Sequence, residues 1–367
     1  MEFDRRMFLA GAGTTLAAFA QTPKIATAMI GTGNRGSYVM KGVMEQPEAQ
    51  IAALCDIKPD RLDAAASVAA AHKPKTYRNW QEVIDRKDIE AVYIATPPDL
   101  HADMAVAALQ AGKHVYCEKP IGVTAYQVRD VVRAARRSNK VFMAGQQLRS
   151  HKQLGEAVSK IHSGEIGNVL MVKAQRHAPT DLAHDGSSGD WYFNVAKSGG
   201  YLIEQSVHNL DVCNWVIGAH PIRAVGFGAT NLYKNDPPGR DIFDCSVITY
   251  DYPNGVKMSF TQNVFHPRTM PTGGQYVFVY GSKAAVDLMY AATKYPLDRD
   301  GQPSIIANKQ EEYAHQHTRA FFDAITKGAT PVAGIEIGAT AALTAILGHE
   351  AMVREKVVTW SDLGVDI

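Results

Sequence analysis

The hexapeptide GTGNRG at residues 31–36 constrains the fold most, because of what stands on each side of it. An apolar run over residues 24–30 precedes it, and a helical stretch follows it. The pattern GxGxxG between a strand and a helix is typical of a dinucleotide-binding turn. Gly31 allows the tight turn, Gly33 lets the backbone approach a pyrophosphate, and Gly36 lets helix and strand pack closely.

An acidic residue follows this turn at the sequence distance that is typical of dinucleotide-binding domains. Asp56 follows a second apolar run, Ile51–Cys55, and lies 20 residues after Gly36. A carboxylate there accepts hydrogen bonds from both ribose hydroxyls of NAD and repels the 2′-phosphate of NADP. We therefore expect NAD as the cofactor, with its phosphates at the N-terminus of the following helix. The residues expected to hold it are Asp56 and the loop residues Gly31, Thr32, Gly33, Asn34, Arg35 and Gly36.

The chain divides into two parts of different pattern. Residues 21–147 alternate short apolar runs with helical segments, which predicts an α/β domain with a doubly wound parallel sheet, the Rossmann fold. Residues 148–367 contain strands joined by hairpin turns and a predicted helix over Ile203–Ile217. They predict an α+β domain with an open, mostly antiparallel sheet that carries helices on one face.

The composition excludes some partners. Lys plus Arg is 38 and Asp plus Glu is 37, so the formal net charge of +1 gives no electrostatic attraction to nucleic acid. The four cysteines include no CxxC pair, which argues against a zinc knuckle. No carboxylate–histidine cluster has the spacing of a metal site, so we expect no metal.

Residues 1–20 form a separate segment. Arg5 and Arg6 precede an uncharged stretch that ends in Ala18-Phe19-Ala20, a small-x-small cleavage signal. The stretch is shorter than the about 20 apolar residues that span a bilayer. The order of these features resembles a Tat export signal. We expect a periplasmic or otherwise exported protein that has no membrane span once this signal is removed.

Four motifs, in order, resemble the Gfo/Idh/MocA oxidoreductases. They are GTGNRG at 31–36, TPPDLH at 96–101, CEKP at 117–120 and SGGYLIEQSVHNLD at 198–211. The resemblance implies an active site between a Rossmann domain and a second sheet. It also implies that the second domain binds the substrate and forms the contacts of a homo-oligomer, a dimer or a tetramer. It implies cofactor contacts from Thr96, Pro97, His101, Glu118 and Lys119.

The resemblance also implies catalytic roles for Lys119 and His208. A lysine at the carboxyl end of a Rossmann strand lies where such sheets bind ligands, and imidazole is suited to accept an alcohol proton. Glu204 is the third catalytic candidate. Many relatives carry the shorter Asp there, so the substrate need not be theirs. Weaker candidates for substrate contact are Arg149, Arg176, Trp191, Tyr192 and Asp211.

These features predict an NAD-dependent oxidoreductase that acts on the CH–OH group of a sugar, cyclic polyol or glycoside. Because no free NAD pool is expected outside the inner membrane, the cofactor should be tightly bound and regenerated in place. A redox-neutral alternative is an NAD-dependent glycoside hydrolase that works by oxidation, elimination, hydration and reduction. Glu204 or Tyr201 would then be an additional acid or base.

Overall fold

The computed structural model describes residues 24–179, 189–270, 273–289, 291–309 and 314–366. The predicted export signal lies outside these residues. Two β-sheets organise the described chain, one of six strands and one of nine. None of its helices is both long and apolar enough to span a bilayer.

The first sheet is parallel throughout, in the order β3-β2-β1-β4-β5-β6. Its strands are β1 (Ile25–Ile30), β2 (Ala49–Cys55), β3 (Lys75–Tyr77), β4 (Ala91–Ile94), β5 (His114–Cys117) and β6 (Phe142–Ala144). Because helices cover both faces, β4 is buried at every position and reads as a continuous apolar run. The doubly wound Rossmann sheet is confirmed.

Five helices connect these strands. They are α1 (Asn34–Met44), α2 (Pro59–Val68), α3 (Trp80–Asp85), α4 (His101–Gln110) and α5 (Ala125–Arg137). A capping box between Thr124 and Gln127 starts α5, since each side chain bonds the other residue's backbone N–H. Neither β3 nor α3 is predicted from the sequence. They span three and six residues, which is too short for a clear periodic pattern.

The second sheet runs in the order β14-β13-β12-β11-β7-β10-β9-β8-β15. Its strands are β7 (Val169–His177), β8 (Arg223–Ala229), β9 (Cys245–Asp251), β10 (Lys257–Asn263), β11 (Gln275–Gly281), β12 (Ala284–Asp287), β13 (Ala292–Pro296), β14 (Ser304–Ala307) and β15 (Val358–Thr359). Only the β7–β10 pair is parallel, so the sheet is mostly antiparallel, as predicted.

Helices pack on the inner face of this sheet. They include α6 (Lys152–His162), α9 (Val207–Ile217) and α11 (Ile335–Arg354), whereas the short helices α7 (Val195–Ser198) and α8 (Gly200–Glu204) pack against each other. The prediction of one continuous helix over 203–217 is wrong. The chain leaves regular helix at Gln205 and Ser206, so Glu204 ends one helix and His208 lies in the next.

The helix α10 (Ala314–Lys327) returns to the first sheet. Phe321 and Phe322 are fully buried there, and the Phe321 ring meets the rings of Tyr93 and Tyr116 edge-on at 5.2 and 5.9 Å. The strand β6 is also tied to this part of the chain, because Ala144 N donates to Ala333 O at 2.8 Å. The two sheets are thus joined through the C-terminal helices as well as through the link after β6.

Candidate active site

The turn after β1 needs its glycines for lack of space. A Cβ on Gly36 would lie 1.9 Å from Gly31 O, and one on Gly31 would lie 2.4 Å from Ala95 O. Gly31 also has φ +87°, in the region that favours glycine. The neighbouring Arg35 has its Nη2 buried, with no hydrogen-bond partner in the part of the chain that the structure describes. A buried cationic donor beside the N-terminus of α1 fits a bound phosphate.

Asp56 stands at the end of β2, beside the turn. Its Oδ2 accepts from Thr32 N at 2.8 Å and from Thr32 Oγ1 at 3.2 Å, and its Oδ1 accepts from Lys58 N at 2.9 Å. These donors fix the carboxylate in place at the cavity described below, and its remaining lone pairs can accept from ribose hydroxyls. In this structure Thr32 therefore holds Asp56 in position and does not itself line the cavity.

Glu118 is buried at the end of β5 and is held by several donors. Its Oε1 accepts from Arg35 Nε at 2.8 Å and from Gln147 Nε2 at 3.0 Å, and its Oε2 accepts from Lys119 N at 3.2 Å. Burial by itself would raise the pKa of this carboxyl. The charges of Arg35 and Lys119 outweigh burial and hold the pKa below its usual value. Glu118 thus stays ionised and links α1 to β5.

His101 connects two loops at the edge of the first sheet. Its ring is 1% exposed, with Nδ1 2.7 Å from Pro120 O and Nε2 2.9 Å from Thr96 O. Burial lowers the pKa of the imidazole, and a neutral ring donates to one carbonyl at a time. The side chain thereby positions the segment after Lys119 against the segment that contains Thr96 and Pro97.

A cavity of about 880 Å³ lies between the two halves of the chain. This volume is in the range of a cofactor and substrate site. The lining includes most of the predicted cofactor residues and part of the second half: Gly31, Gly33, Asn34, Arg35, Asp56, Thr96, Pro97, His101, Glu118, Lys119, Trp191, Tyr192, Lys197, Glu204 and Gln205. The first-sheet residues come from the carboxyl ends of their strands, as open α/β sheets require.

Lys119 and Glu204 meet in this cavity. Lys119 Nζ is 2.5 Å from both Glu204 Oε1 and Glu204 O. The two side chains are only 11% and 10% exposed. The other carboxylate oxygen, Glu204 Oε2, is buried and has no hydrogen-bond partner within the described residues. A buried amine and carboxylate in contact form a site that can hold and transfer a proton.

His208 lies close to this pair but makes its own contact elsewhere. Its Nδ1 is 3.1 Å from Gln146 Oε1. Burial, followed by the charges of Lys119 and Arg176, lowers the pKa of His208 well below its usual value. The imidazole is therefore neutral near pH 7. It does not line the cavity among the described residues.

The weaker substrate candidates fall into two groups. Trp191 and Tyr192 line the cavity, and Arg176 Nη2 donates to the cavity-lining Gln205 Oε1 at 3.1 Å. Arg149 and Asp211 instead bind each other. Arg149 Nε and Nη2 lie 2.9 and 2.7 Å from the two carboxylate oxygens of Asp211, so both groups are occupied within the protein.

Sequence reasoning missed several residues of the site. Lys58, Arg61 and Arg78 surround the cavity near Asp56, and Lys197 and Gln205 line its other half. Arg61 is close enough to the turn that a Cβ on Gly33 would lie 2.9 Å from its Nη1. The basic residues that closely follow Asp56 in the sequence could have indicated this part of the site. No local pattern marked Lys197 or Gln205. Among the described residues, no group of His, Cys, Asp and Glu could hold a metal ion.

Comparison with known proteins gives the family. A profile described as oxidoreductase family, NAD-binding Rossmann fold, matches residues 25–146, and the GFO/IDH/MocA C-terminal domain matches residues 155–287. The chain belongs to the Gfo/Idh/MocA family. NAD is the cofactor that this Rossmann domain binds.

Two curated proteins are similar to this chain over part of its length. An inositol 2-dehydrogenase of Salmonella typhimurium is 33% identical over 52% of this chain and 53% of its own length. A glycosyl hydrolase family 109 protein of Stenotrophomonas maltophilia is 34% identical over 46% of this chain and 41% of its own length. The match thus spans about half of each of these relatives.

The fold continues beyond the matched half. A levoglucosan dehydrogenase in complex with NADH and levoglucosan has a TM-score of 0.80, covers 92% of this chain and 99% of its own, and is 20% identical. This similarity concerns the fold. The family membership and the dehydrogenase relative show that the site is that of an NAD(P)-dependent oxidoreductase acting on CH–OH groups.

Proposed function

We propose that this protein oxidises a ring hydroxyl of a sugar, cyclic polyol or glycoside with an NAD that stays bound between turnovers. The contact of Lys119 Nζ with Glu204 Oε1 inside the cavity carries the proposal. The substrate class is supported by the inositol 2-dehydrogenase relative. Trp191 and Tyr192 on the cavity wall offer aromatic faces to the C–H groups of a sugar.

The chain's own residues would handle the proton of the reaction. Lys119 Nζ donates a hydrogen bond to the substrate hydroxyl oxygen and stabilises the negative charge that develops there. Glu204 takes up the hydroxyl proton, and neutral His208 orients the polar wall behind them through Gln146. When bound, NAD would supply the hydride acceptor for the same carbon, so that the alcohol becomes a ketone.

Separate substitutions of Glu204 and His208 test this assignment. We expect E204Q to lower single-turnover hydride transfer by about a hundredfold or more, as loss of an acid/base group does. H208Q should lower it by less and should leave the pH dependence of the rate unchanged. A larger loss in H208Q than in E204Q would assign the proton to His208 instead. NAD titration of each variant checks that the cofactor site is intact.

The captive cofactor follows from the proposed export. Arg5, Arg6 and the Ala18-Phe19-Ala20 site support a Tat signal, and that route carries folded proteins. The mature protein from Gln21 should therefore be purified without added cofactor, denatured, and analysed for released nucleotide by chromatography. Near-stoichiometric NAD(H) is the expected result. An empty protein that binds NAD weakly would argue for a shared NAD pool and against export.

A redox-neutral glycoside hydrolase is the second candidate. The buried Oε2 of Glu204, without a partner in the described chain, supplies a base for the elimination step. The glycosyl hydrolase family 109 relative also favours it. In this cycle a ring hydroxyl would be oxidised, the neighbouring C–H would lose its proton as the aglycone leaves, and water would add. The bound cofactor would then return the hydride to the ketone. Aglycone release with no net NADH formed would select the hydrolase. NADH formed in proportion to ketone would select the dehydrogenase.

We also propose a homo-oligomer formed through the second sheet. Its outer face exposes Phe227, Val247 and Ile305, each about 60% exposed, while the helices pack on the inner face. An apolar face of this kind is typical of a contact between protein chains. Light scattering should give a dimer or tetramer, and F227K combined with V247K should shift it towards monomer. A monomeric parent protein would contradict the proposal.

A further inference from the structure

Arg61, in the first turn of α2, lies against the phosphate-binding turn after β1. Apart from its chain neighbours, the described atoms nearest to a Cβ built on Gly33 all belong to Arg61: Nη1 at 2.9 Å, Cζ at 3.5 Å and Cδ at 3.9 Å. The side chain is half-buried and lines the cavity. Because Gly33 has no side chain, the guanidinium can lie beside the backbone that is expected to approach a pyrophosphate.

The charge of Arg61 is not balanced by a carboxylate of the described chain. Its side chain makes no hydrogen bond or ion pair within the described residues. Arg35, the other arginine at this turn, is different, because its Nε lies 2.8 Å from Glu118 Oε1. The positive charge of Arg35 is thus offset within the protein. Since each phosphate of NAD is negatively charged, the site calls for a cation whose charge is still available, and Arg61 is such a cation.

Two further cations line this end of the cavity, but they lie beside Asp56. Lys58 donates its backbone N–H to Asp56 Oδ1 at 2.9 Å, and Arg78 Nη2 donates to Ile57 O at 2.9 Å. These contacts place both residues at the end of the cavity where the adenosine ribose is expected. Arg61 differs from them because its guanidinium lies at the phosphate-binding turn itself.

The N-terminus of α1 faces the same part of the cavity. Gly33 is the N-cap residue of this helix, and no described side chain caps it. The free N–H groups and the helix dipole favour an anion there. An anion at this point would lie between the start of α1 and the guanidinium of Arg61. The place is accessible to a ligand, because Gly31, Gly33, Arg35 and Arg61 all line the cavity.

We propose that Arg61 binds the pyrophosphate of NAD and slows its release. This inference rests on the proposed function, in which NAD stays bound between turnovers, and it names a residue that retains the cofactor. A helix N-terminus offers only partial charges, whereas a guanidinium offers a full charge and parallel N–H donors to phosphate oxygens. Contacts of this kind act mainly on the dissociation rate, so the effect should appear in the rate at which bound NAD leaves.

Exchange of bound NAD on the loaded full chain tests this role. Protein loaded with labelled NAD is mixed with a large excess of unlabelled NAD, and the label that remains bound is followed with time. We expect R61M to release NAD about tenfold or more faster than the parent, the size of effect that charge-assisted hydrogen bonds give. R61Q, also uncharged, should behave as R61M does. Equal release from these variants and the parent would overturn the proposal.

The matched control is R137M, at an exposed arginine in the last turn of α5. It removes the same charge from the chain at a distance from the cavity lining. R137M should therefore release NAD at the rate of the parent. Release from R137M as fast as from R61M would show that the net charge of the chain, and not a contact of Arg61, retains the cofactor, and it would overturn the proposal.

Salt dependence identifies the group that Arg61 contacts. The exchange is repeated from about 0.05 M to about 0.5 M NaCl, a range over which salt strongly screens exposed charges. Release from the parent should accelerate with salt more than release from R61M does, because R61M has no charge at this position to screen. R61K, which keeps the charge without the fork, should keep most of the salt dependence. Faster release from R61M with the salt dependence of the parent would assign Arg61 to the uncharged adenine and overturn the pyrophosphate contact.

The exchange rates keep this inference separate from the proposed function. If the parent releases NAD faster than it turns over a substrate, and R61M releases it faster still, the role of Arg61 stands and the captive cofactor is wrong. If the parent and R61M both retain NAD equally well, the captive cofactor stands and the role of Arg61 is wrong.

Discussion

The cofactor side and the substrate side of the cavity differ in how their carboxylates are held. On the cofactor side, Asp56 accepts three hydrogen bonds and Glu118 is bound by Arg35 and Gln147. On the substrate side, Glu204 is held through Oε1 alone, and its Oε2 has no partner in the described chain. The carboxylates of the first side are thus held by the protein before any ligand binds. The second side has a carboxylate oxygen that no described residue satisfies.

This difference teaches where specificity lies. A site whose groups are fixed by the protein binds one common cofactor and depends little on which substrate follows. Groups without protein partners favour a ligand that pairs with them, and they disfavour a ligand that leaves them unpaired. We therefore expect substitutions on the cofactor side to change stability and NAD affinity. Substitutions on the substrate side should change turnover and ligand preference.

The largest expected effect is at Lys119, where the two sides meet. K119M should lower single-turnover hydride transfer by about a thousandfold, because a group in proton transfer contributes about 10²–10⁴. NAD affinity should change by only a few fold. Rapid-mixing absorbance of NADH measures the first and calorimetry the second. K41M, at an exposed lysine of α1, is the control. A tenfold loss or less would remove Lys119 from the chemistry.

The next effect is at the turn after β1. In G36A the added Cβ would lie 1.9 Å from Gly31 O, so the backbone must shift. We expect a loss of about 3 kcal/mol or more in the free energy of unfolding, as overpacking gives, and at least a tenfold loss in NAD affinity. G155A, in α6, is the control, because the described atom nearest to the added Cβ belongs to Trp215 and lies at an ordinary contact distance of 3.8 Å. Normal NAD binding by G36A would contradict the close packing at the turn.

The third effect concerns pH and His317 in α10. Its Nε2 is 2.9 Å from Ala144 O and its Nδ1 is 2.7 Å from Ser150 Oγ. Burial lowers the pKa of His317 to about 4. Between pH 6.5 and 4 the unfolded chain binds a proton that the folded chain does not, so stability falls as pH falls. At pH 4 this one residue lowers the free energy of unfolding by about 3 kcal/mol relative to neutral pH.

The variant H317Q isolates that contribution. Denaturant unfolding at pH 7 and at pH 4 should show a smaller loss of stability for H317Q than for the parent. H162Q, at an exposed histidine, should behave as the parent does. An equal acid loss in H317Q and the parent would show that His317 is not responsible.

The smallest expected effect is at Asp56. D56S should weaken NAD binding by about tenfold, because hydrogen bonds from ribose hydroxyls to a charged acceptor are lost. The same change removes the repulsion of a 2′-phosphate, and Lys58, Arg61 and Arg78 lie nearby. NADP should therefore bind more tightly than to the parent. Titration with both cofactors measures the two changes. Unchanged discrimination would mean that Asp56 does not select the cofactor.

The sequence by itself determined the cofactor half. The order of strand, GTGNRG and helix is local, and only glycine fits where a Cβ would strike Gly31 O or Ala95 O. The continuous apolar run of β4 follows from burial of both faces of its sheet. The alternation of buried and exposed residues along β9 follows from burial of one face only. Such patterns are readable because neighbours along the chain create them.

Only the tertiary structure decided the rest. The helix is interrupted between Glu204 and His208. Their spacing of four residues therefore does not place them on one helical face. Arg149 and Asp211 bind each other across 62 residues, and α10 returns to a sheet formed some 200 residues earlier. Contacts between distant segments depend on packing of the whole fold, and no local pattern encodes them.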